Sequence, residues 1–349
     1  MAIRKAKQTI QEFALIRGLQ RRFARSESGL VRGIGDDAAV IAAPRNSWWH
    51  LTTDLLAEGV HFDLKTACHE SVGYRAAMAN LSDIAAMGAV PRYLLTSLAI
   101  PKTVTSAHIY NLYAGLMKAC RLHNVTLIGG DTSTSKAGLF LNITLIGTTP
   151  TGRALFRNSA RLGDLLYVTG TLGDSLAGLQ LLTRGKASRT APKRFASLGT
   201  AHRQFLVNRH LHPTARIAEG QWLNHSRLAT AAIDLSDGLS GDLRHLCEES
   251  LVGAELHLSE IPLSAACRAY ADLHRLQPAQ LALTGGEDYE LLFTVSPKNQ
   301  LTVERQARAR GYRITCIGTI RPRRFRMQMT SSDGTRQPLP MTSYEHFKQ

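Results

Sequence analysis

The chain has 349 residues, 44% hydrophobic and 20% charged, with a formal net charge of +15 at pH 7. At roughly 150 residues per domain, this length predicts two domains with room for real cores. The composition excludes a disordered chain, and no apolar run approaches the roughly 18 residues of a membrane helix.

The opening MAIRKAKQTIQEF is basic but runs into a polar amphipathic stretch, so no secretory leader is expected. Five scattered cysteines (Cys68, Cys120, Cys247, Cys267, Cys316) form no CxxC pair. That argues against a disulfide framework or a thiolate zinc site and for a reducing, cytoplasmic location. The basicity is local. Residues 184–227 hold nine Lys/Arg against one acid, and residues 305–326 hold eight Arg and no acid, so the remainder is near neutrality. No aromatic pattern interleaves these segments, so they are read as solvated helix faces and a surface loop, and a nucleic-acid partner is not expected.

In chain order, 38–42 and 48–54 read as strands, rich in β-branched and aromatic residues. The alanine-dense stretch 69–88 reads as a helix ending at Gly88, and 92–100 as a strand stopped by Pro101. Apolar residues at 109, 112, 113, 116 and 117 predict a helix over 106–123. VTLIGGD (125–131) and LFLNITLIG (139–147) return to strand. A second series follows: strand 163–170, helix 174–183, a polar basic stretch 184–203, a helix near 213–223, strand 229–234 and helix 238–249. VGAELHL, YELLFTV and YRITCIGTI are further strands with helices between them. The alternation predicts an α/β or α+β protein in two layers. Its break falls near 150–160, around Pro150 and Gly152, giving domains 1–155 and 156–349.

The acids are unusually placed. Clusters flanked by Gly, Ser or Thr recur in GIGDDAA (33–39), LTTD (51–54), NLSD (80–83), GGDTS (129–133), IDLSDG (233–238) and GGEDYE (285–290). Any one of them reads as a turn or a helix cap. Asp83 is different, because it lies in a small-residue helix between Leu81, Ile84 and Met87, where an unpaired carboxylate is costly to bury. Asp234 and Asp237 flank Ser236 directly after an apolar strand. Aspartates converging with hydroxyls, and without His or Cys, define a hard-cation site, with Mg2+ the leading candidate. Several such ions imply a polyphosphate, because the metal bridges carboxylates to phosphates.

Other motifs are cleared. GIGDDA fits a dinucleotide fingerprint, but its two aspartates would face the pyrophosphate. GxxxxGK[ST], the protein-kinase set and GxSxG are absent. His210-Leu-His212 has no acidic or cysteine neighbour in sequence and reads as surface.

GIGDDAAVI, TTDLLAEGVHF, ANLSDIAAMGA, LIGGDTS, GRALFR, YVTGTLGDSLAGL, AIDLSDGL and LTGGEDYELLF, in this order and spacing, resemble bacterial thiamine-monophosphate kinases from about Glu12 to His346. The resemblance implies ATP-dependent phosphorylation of thiamine monophosphate to thiamine diphosphate, on the two-domain fold of aminoimidazole-ribonucleotide synthetase. In that fold an N-terminal α/β domain binds ATP and Mg2+ and forms a homodimer through its sheet, and an α+β domain adds substrate and metal contacts. Residue by residue, it implies Asp37, Thr52, Thr53, Asp54, Asp83, Asp131, Asp234 and Asp237 as metal ligands. Tyr113, Gly130, Asp131, Arg157 and Ser236 would be ATP contacts, with Arg157 stabilising charge. His61, Glu287 and Tyr344 would meet thiamine monophosphate, His61 at the phosphate end and Glu287 at the cationic ring end.

If His61 and Glu287 reach one substrate, the active site is a cleft between the two halves. No side chain is poised as a covalent nucleophile, so direct in-line transfer is expected. The alternatives are another ATP-using member of the same superfamily (selenophosphate synthase, carbamoyl dehydratase or purine synthetase type) and a basic nucleic-acid-binding protein. The selenium enzyme would want a reactive Cys near the N-terminus and the carbamoyl enzyme one at the C-terminus, and this chain has neither. A nucleic-acid-binding role leaves the acidic clusters unexplained.

Overall fold

The computed structural model describes residues 30–32, 36–43, 46–184 and 198–340. Period-two alternation builds the first sheet. In FLNITLIGTTP (Phe140–Pro150, β6) Leu141, Ile143 and Leu145 are buried and their neighbours are not. β6 lies between β3 (Ser47–Ala57) and β4 (Val90–Pro101). With β1 (Leu30–Arg32), β2 (Ala39–Ala43) and β5 (Thr126–Ser135) the sheet order is β1-β2-β3-β6-β4-β5. All neighbours are antiparallel except β4 and β5.

Two helices cover one face of this sheet, α1 (His69–Ala86) and α2 (Ser106–Leu122). Their small residues let them touch backbone to backbone. A Cβ at Gly73 would meet the Leu112 carbonyl at 2.0 Å, and one at Gly115 the Glu70 carbonyl at 1.8 Å. α1 is buried over nearly its whole length, which explains why its sequence is alanine-rich and not two-faced.

The second half forms a seven-stranded sheet, β13-β12-β9-β11-β7-β10-β8. Its strands are β7 (Leu165–Thr169), β8 (Ala229–Asp234), β9 (Gly253–His257), β10 (Leu291–Val295), β11 (Ile314–Arg321), β12 (Met327–Thr330) and β13 (Arg336–Pro338). Helices α3 (Asp174–Arg184), α4 (Thr200–Leu211), α5 (Ile217–Ser226), α6 (Leu239–Ser250), α7 (Ala265–His274), α8 (Pro278–Thr284) and α9 (Gln300–Arg310) pack around it. α4 was not expected, since it begins at the end of the polar basic stretch and fills the gap before the next expected helix, and β1, β12 and β13 are likewise additions. The halves meet through α1, where Ser82 Oγ donates to Asp234 Oδ2 at 2.7 Å. Among the described residues no helix is long and apolar enough to cross a membrane.

Candidate active site

Three of the acidic motifs converge. Asp37 precedes β2, Asp83 lies on α1 and Asp234 ends β8, and one carboxylate oxygen from each lies within 4.8 Å of the other two. Thr52, on the face of β3 that meets the helices, donates its hydroxyl to Asp83. Asp54 shares that face by strand alternation.

Burial and mutual repulsion push the Asp83 and Asp234 carboxyls well above the usual carboxylate range. Burial raises Asp54 to about 6. Burial and the charge of Asp37 raise Asp36 to about 7, against the pull of Arg157 and Arg32. Every donor at the convergence is an oxygen, and the crowded carboxylates have too few cationic partners of their own. This donor set fits a hard divalent cation.

A cleft of about 900 Å³ lies between the two halves. Asp54, Asp83, Asp234, Ser236 and Asp237 line it, and His61 and Glu287 line the same cleft from opposite halves of the chain. The expectation that these two share one cleft therefore matches the geometry. The Ala57 N–H donates to His61 Nδ1 at 3.0 Å, so the neutral ring carries its proton on Nε2. The strand-like hydrogen bonding between β8 and β10 continues into the loop, where the Glu287 N–H donates to the Ser236 carbonyl at 2.8 Å and the Tyr289 N–H to the Leu235 carbonyl at 2.9 Å. Both residues adopt left-handed backbone angles, φ 64° at Glu287 and 51° at Tyr289. The DLSDG loop and the GGEDYE loop are thus clipped together.

Other expected residues are not brought to this point within one chain. Asp131 is exposed and in register with Ser97, on the sheet face away from the helices. Gly130, one residue earlier, faces the other way, towards Thr96, whose Oγ1 bonds the Tyr113 hydroxyl at 2.8 Å. A Cβ at Gly130 would meet the Thr96 carbonyl at 1.9 Å. Thr53 lines the cleft, but its hydroxyl donates to the Ile143 carbonyl at 2.9 Å, on the face opposite Thr52 and Asp54. Tyr344 lies outside the described residues.

Arg157, expected on phosphate, grips Asp37 through both Nε (2.8 Å to Oδ2) and Nη2. Glu287, expected at the cationic ring end of the substrate, accepts from Arg75 Nη2 at 2.9 Å. Two surface readings need correction. His210, read as surface, is 4% exposed and hydrogen-bonded to Arg75. The basic segment 184–227 is not merely solvated, because Arg209 and Arg216 both pair with the fully buried Glu290.

Two residues escaped the sequence reading. The buried Asp242 carboxylate accepts the Asp237 N–H at 3.1 Å and so shapes the DLSDG turn. Arg75 joins the cleft from α1. Its signal was the spacing of Arg75, Ala79 and Asp83, four residues apart on one helix face, and all three line the cleft.

Both halves match known families. Residues 35–149 match the N-terminal domain of AIR synthase related proteins, and residues 161–329 match the C-terminal domain of the same group. The fold is therefore that of a two-domain AIR synthase related protein. Within that class, the chain is 38% identical to the thiamine-monophosphate kinase of Haemophilus influenzae, over 97% of this chain and 98% of that protein. It is 35% identical to that of Bacillus subtilis, over 97% and 100%. A solved structure described as AaThiL complexed with AMPPCP and TMP superposes with a TM-score of 0.81 at 33% identity, covering 97% of each chain. The chain belongs to the thiamine-monophosphate kinase family.

Proposed function

We propose that the protein transfers the γ-phosphoryl group of ATP directly to the phosphate of thiamine monophosphate, giving thiamine diphosphate and ADP, with Mg2+ held by the converging aspartates. The convergence of Asp37, Asp83 and Asp234, from motifs spread over both halves, carries this reading. Bound Mg2+ would neutralise charge on the polyphosphate and on the transferring group. Asp37, Asp83 and Asp234 would hold it, with Asp54 and Asp237 beside them in the cleft.

The acceptor phosphate is already ionised at neutral pH, so the chain has only to position it and exclude water. His61 and Glu287 are suited to the two ends of thiamine monophosphate. Incubation with MgATP and thiamine monophosphate should yield ADP and thiamine diphosphate in equal amounts. ATP consumption without diphosphate would refute the proposal.

The raised carboxyls give a pH test. Their folded pKa values lie above those of the unfolded chain, so the stability they confer when protonated is lost as pH rises from about 4 through about 7. A cation competes with those protons. The gain in melting temperature on adding Mg2+ should therefore be small at pH 5 and grow towards pH 8. A gain independent of pH would count against cation binding by these carboxyls.

A homodimer through the first sheet fits the same reading. The sheet face away from α1 and α2 exposes Ile41, Trp49, Leu55 and Tyr93, an apolar surface that a lone chain would leave wet. Asp131 lies on that face, where a second copy would cover it. Sedimentation at micromolar concentration should give the mass of two chains, and the mass of one chain would remove the sheet-pairing model. A cytoplasmic location accords with five free cysteines, and a division at 155/156 accords with the two sheets.

A further inference from the structure

The hub of the cleft is a residue that none of the acidic or glycine-rich motifs includes. Arg75, 3% exposed, donates through Nη1 to His210 Nε2 at 3.0 Å, and through Nη2 to Glu287 Oε1 at 2.9 Å and to the His61 carbonyl. One guanidinium thereby ties α1, the loop carrying His61, helix α4 and the GGEDYE loop. A planar fork with several fixed donors can do this and an ammonium cannot.

The bond from Arg75 also settles the state of His210. Since Nε2 accepts, the ring proton sits on Nδ1, which faces Ser175 Oγ at 3.1 Å and Glu287 Oε2 at 3.5 Å. Burial and the neighbouring guanidinium hold His210 down to about 3, so it stays neutral at working pH. Glu287 Oε1 is thus aimed by the Arg75 fork, while Oε2 lies 3.5 Å from the neutral His210 ring. Burial raises the Glu287 carboxyl and Arg75 opposes that rise, favouring the ionised form. None of the acids assigned to metal touches this cluster in the hydrogen bonds described.

We propose that Arg75 is a positioning residue for thiamine phosphate in the cleft, acting by fixing the rotamer and charge of Glu287 and the backbone of the His61 loop. This inference rests on the reading of Glu287 as a substrate contact, and it adds the group that makes that contact effective. A merely structural Arg75 would affect stability and both substrates alike. A positioning Arg75 splits them.

The test is a double-mutant cycle in the full-length protein, with KM for thiamine monophosphate and for ATP measured on R75Q, E287Q and the double variant. R75Q should raise the thiamine-monophosphate KM by about tenfold or more and leave the ATP KM within about twofold. The double variant should be no worse than the poorer single one, because Arg75 and Glu287 act as one unit. R75K keeps the charge but loses the fork, so it should fall between wild type and R75Q. It also carries the test if R75Q fails to fold. Penalties that multiply in the double variant, or an unchanged thiamine-monophosphate KM in R75Q and R75K beside a raised one in E287Q, would overturn the inference. An unchanged KM in E287Q itself would instead overturn the substrate reading of Glu287.

Discussion

Asp83→Asn should lower turnover by on the order of a thousandfold while raising the melting temperature of the metal-free protein. Asp83 stands at the centre of the acidic cluster. Burial and the charges of Asp54, Asp234 and Asp37 all disfavour its ionised form, and only the Thr52 hydroxyl visibly favours it. The amide is isosteric and still accepts from Thr52, so the fold loses little and sheds one crowded negative charge. A gain of about 1–2 kcal/mol is expected, the usual scale for relieving a destabilised functional site. The lost charge is one that the proposed Mg2+ site would use. Activity near wild type at saturating Mg2+ would remove Asp83 from the metal site. A lower metal-free melting temperature would show that the cluster is not repulsive.

The second large effect lies one shell away from the cleft. Glu290 has no exposed surface and receives Arg216 through Nε and Nη2 at 2.5 Å each, Arg209 Nη2 at 2.9 Å and Thr169 Oγ1 at 2.6 Å. Burial alone would raise its pKa, but the two guanidiniums and the hydroxyl together bring it below the usual carboxylate range. Glu290→Gln removes the carboxylate that the two largely buried guanidiniums share and leaves Arg209 with Asp174 at 3.7 Å and Arg216 with Glu219 at 3.4 Å, at a cost of about 3 kcal/mol. That corresponds to a melting temperature lower by roughly 10 °C for a domain of this size.

The sign with pH follows from the depressed pKa. Glu290's contribution is present above its unfolded value and is lost as pH falls through the lower folded value, so wild type and variant should converge in acid. A constant difference from pH 7 to pH 3 would show that charge is not the cause.

These two predictions separate what the sequence could tell from what it could not. The acidic clusters were legible because small flanking residues and strand ends mark them. The helix around Asp83 was legible because alanine and leucine leave no other reading. The faces of the strands were equally readable from alternation. Applied to β5, alternation already sends Gly130 and Asp131 to opposite sides of the sheet, which is what the register between β4 and β5 shows.

Helix α4 escaped because its only buried residues are Leu206 and His210, and a buried histidine looks polar in any periodicity. What Arg75 and Glu290 pair with escaped for a deeper reason, although helix spacing sets Arg75 on the Asp83 face and Glu290 ends the GGEDYE motif. Their roles depend on partners more than seventy residues away, at 210 and 287 for the one and at 209 and 216 for the other, and no local pattern encodes such pairs. The basic segment looked solvated for the same reason, since its buried arginines are matched by an acid from another element.

One cleft, lined by aspartates together with His61, Arg75 and Glu287, serves the transfer of a phosphoryl group from ATP to a phosphorylated thiamine. The most direct measurement is kcat/KM for thiamine monophosphate beside unphosphorylated thiamine, at saturating MgATP. A preference for the monophosphate of at least about a thousandfold is predicted, because the missing phosphate is both the nucleophile and a group the site is built to hold. Equal rates on the two substrates, or faster phosphorylation of thiamine itself, would contradict the account.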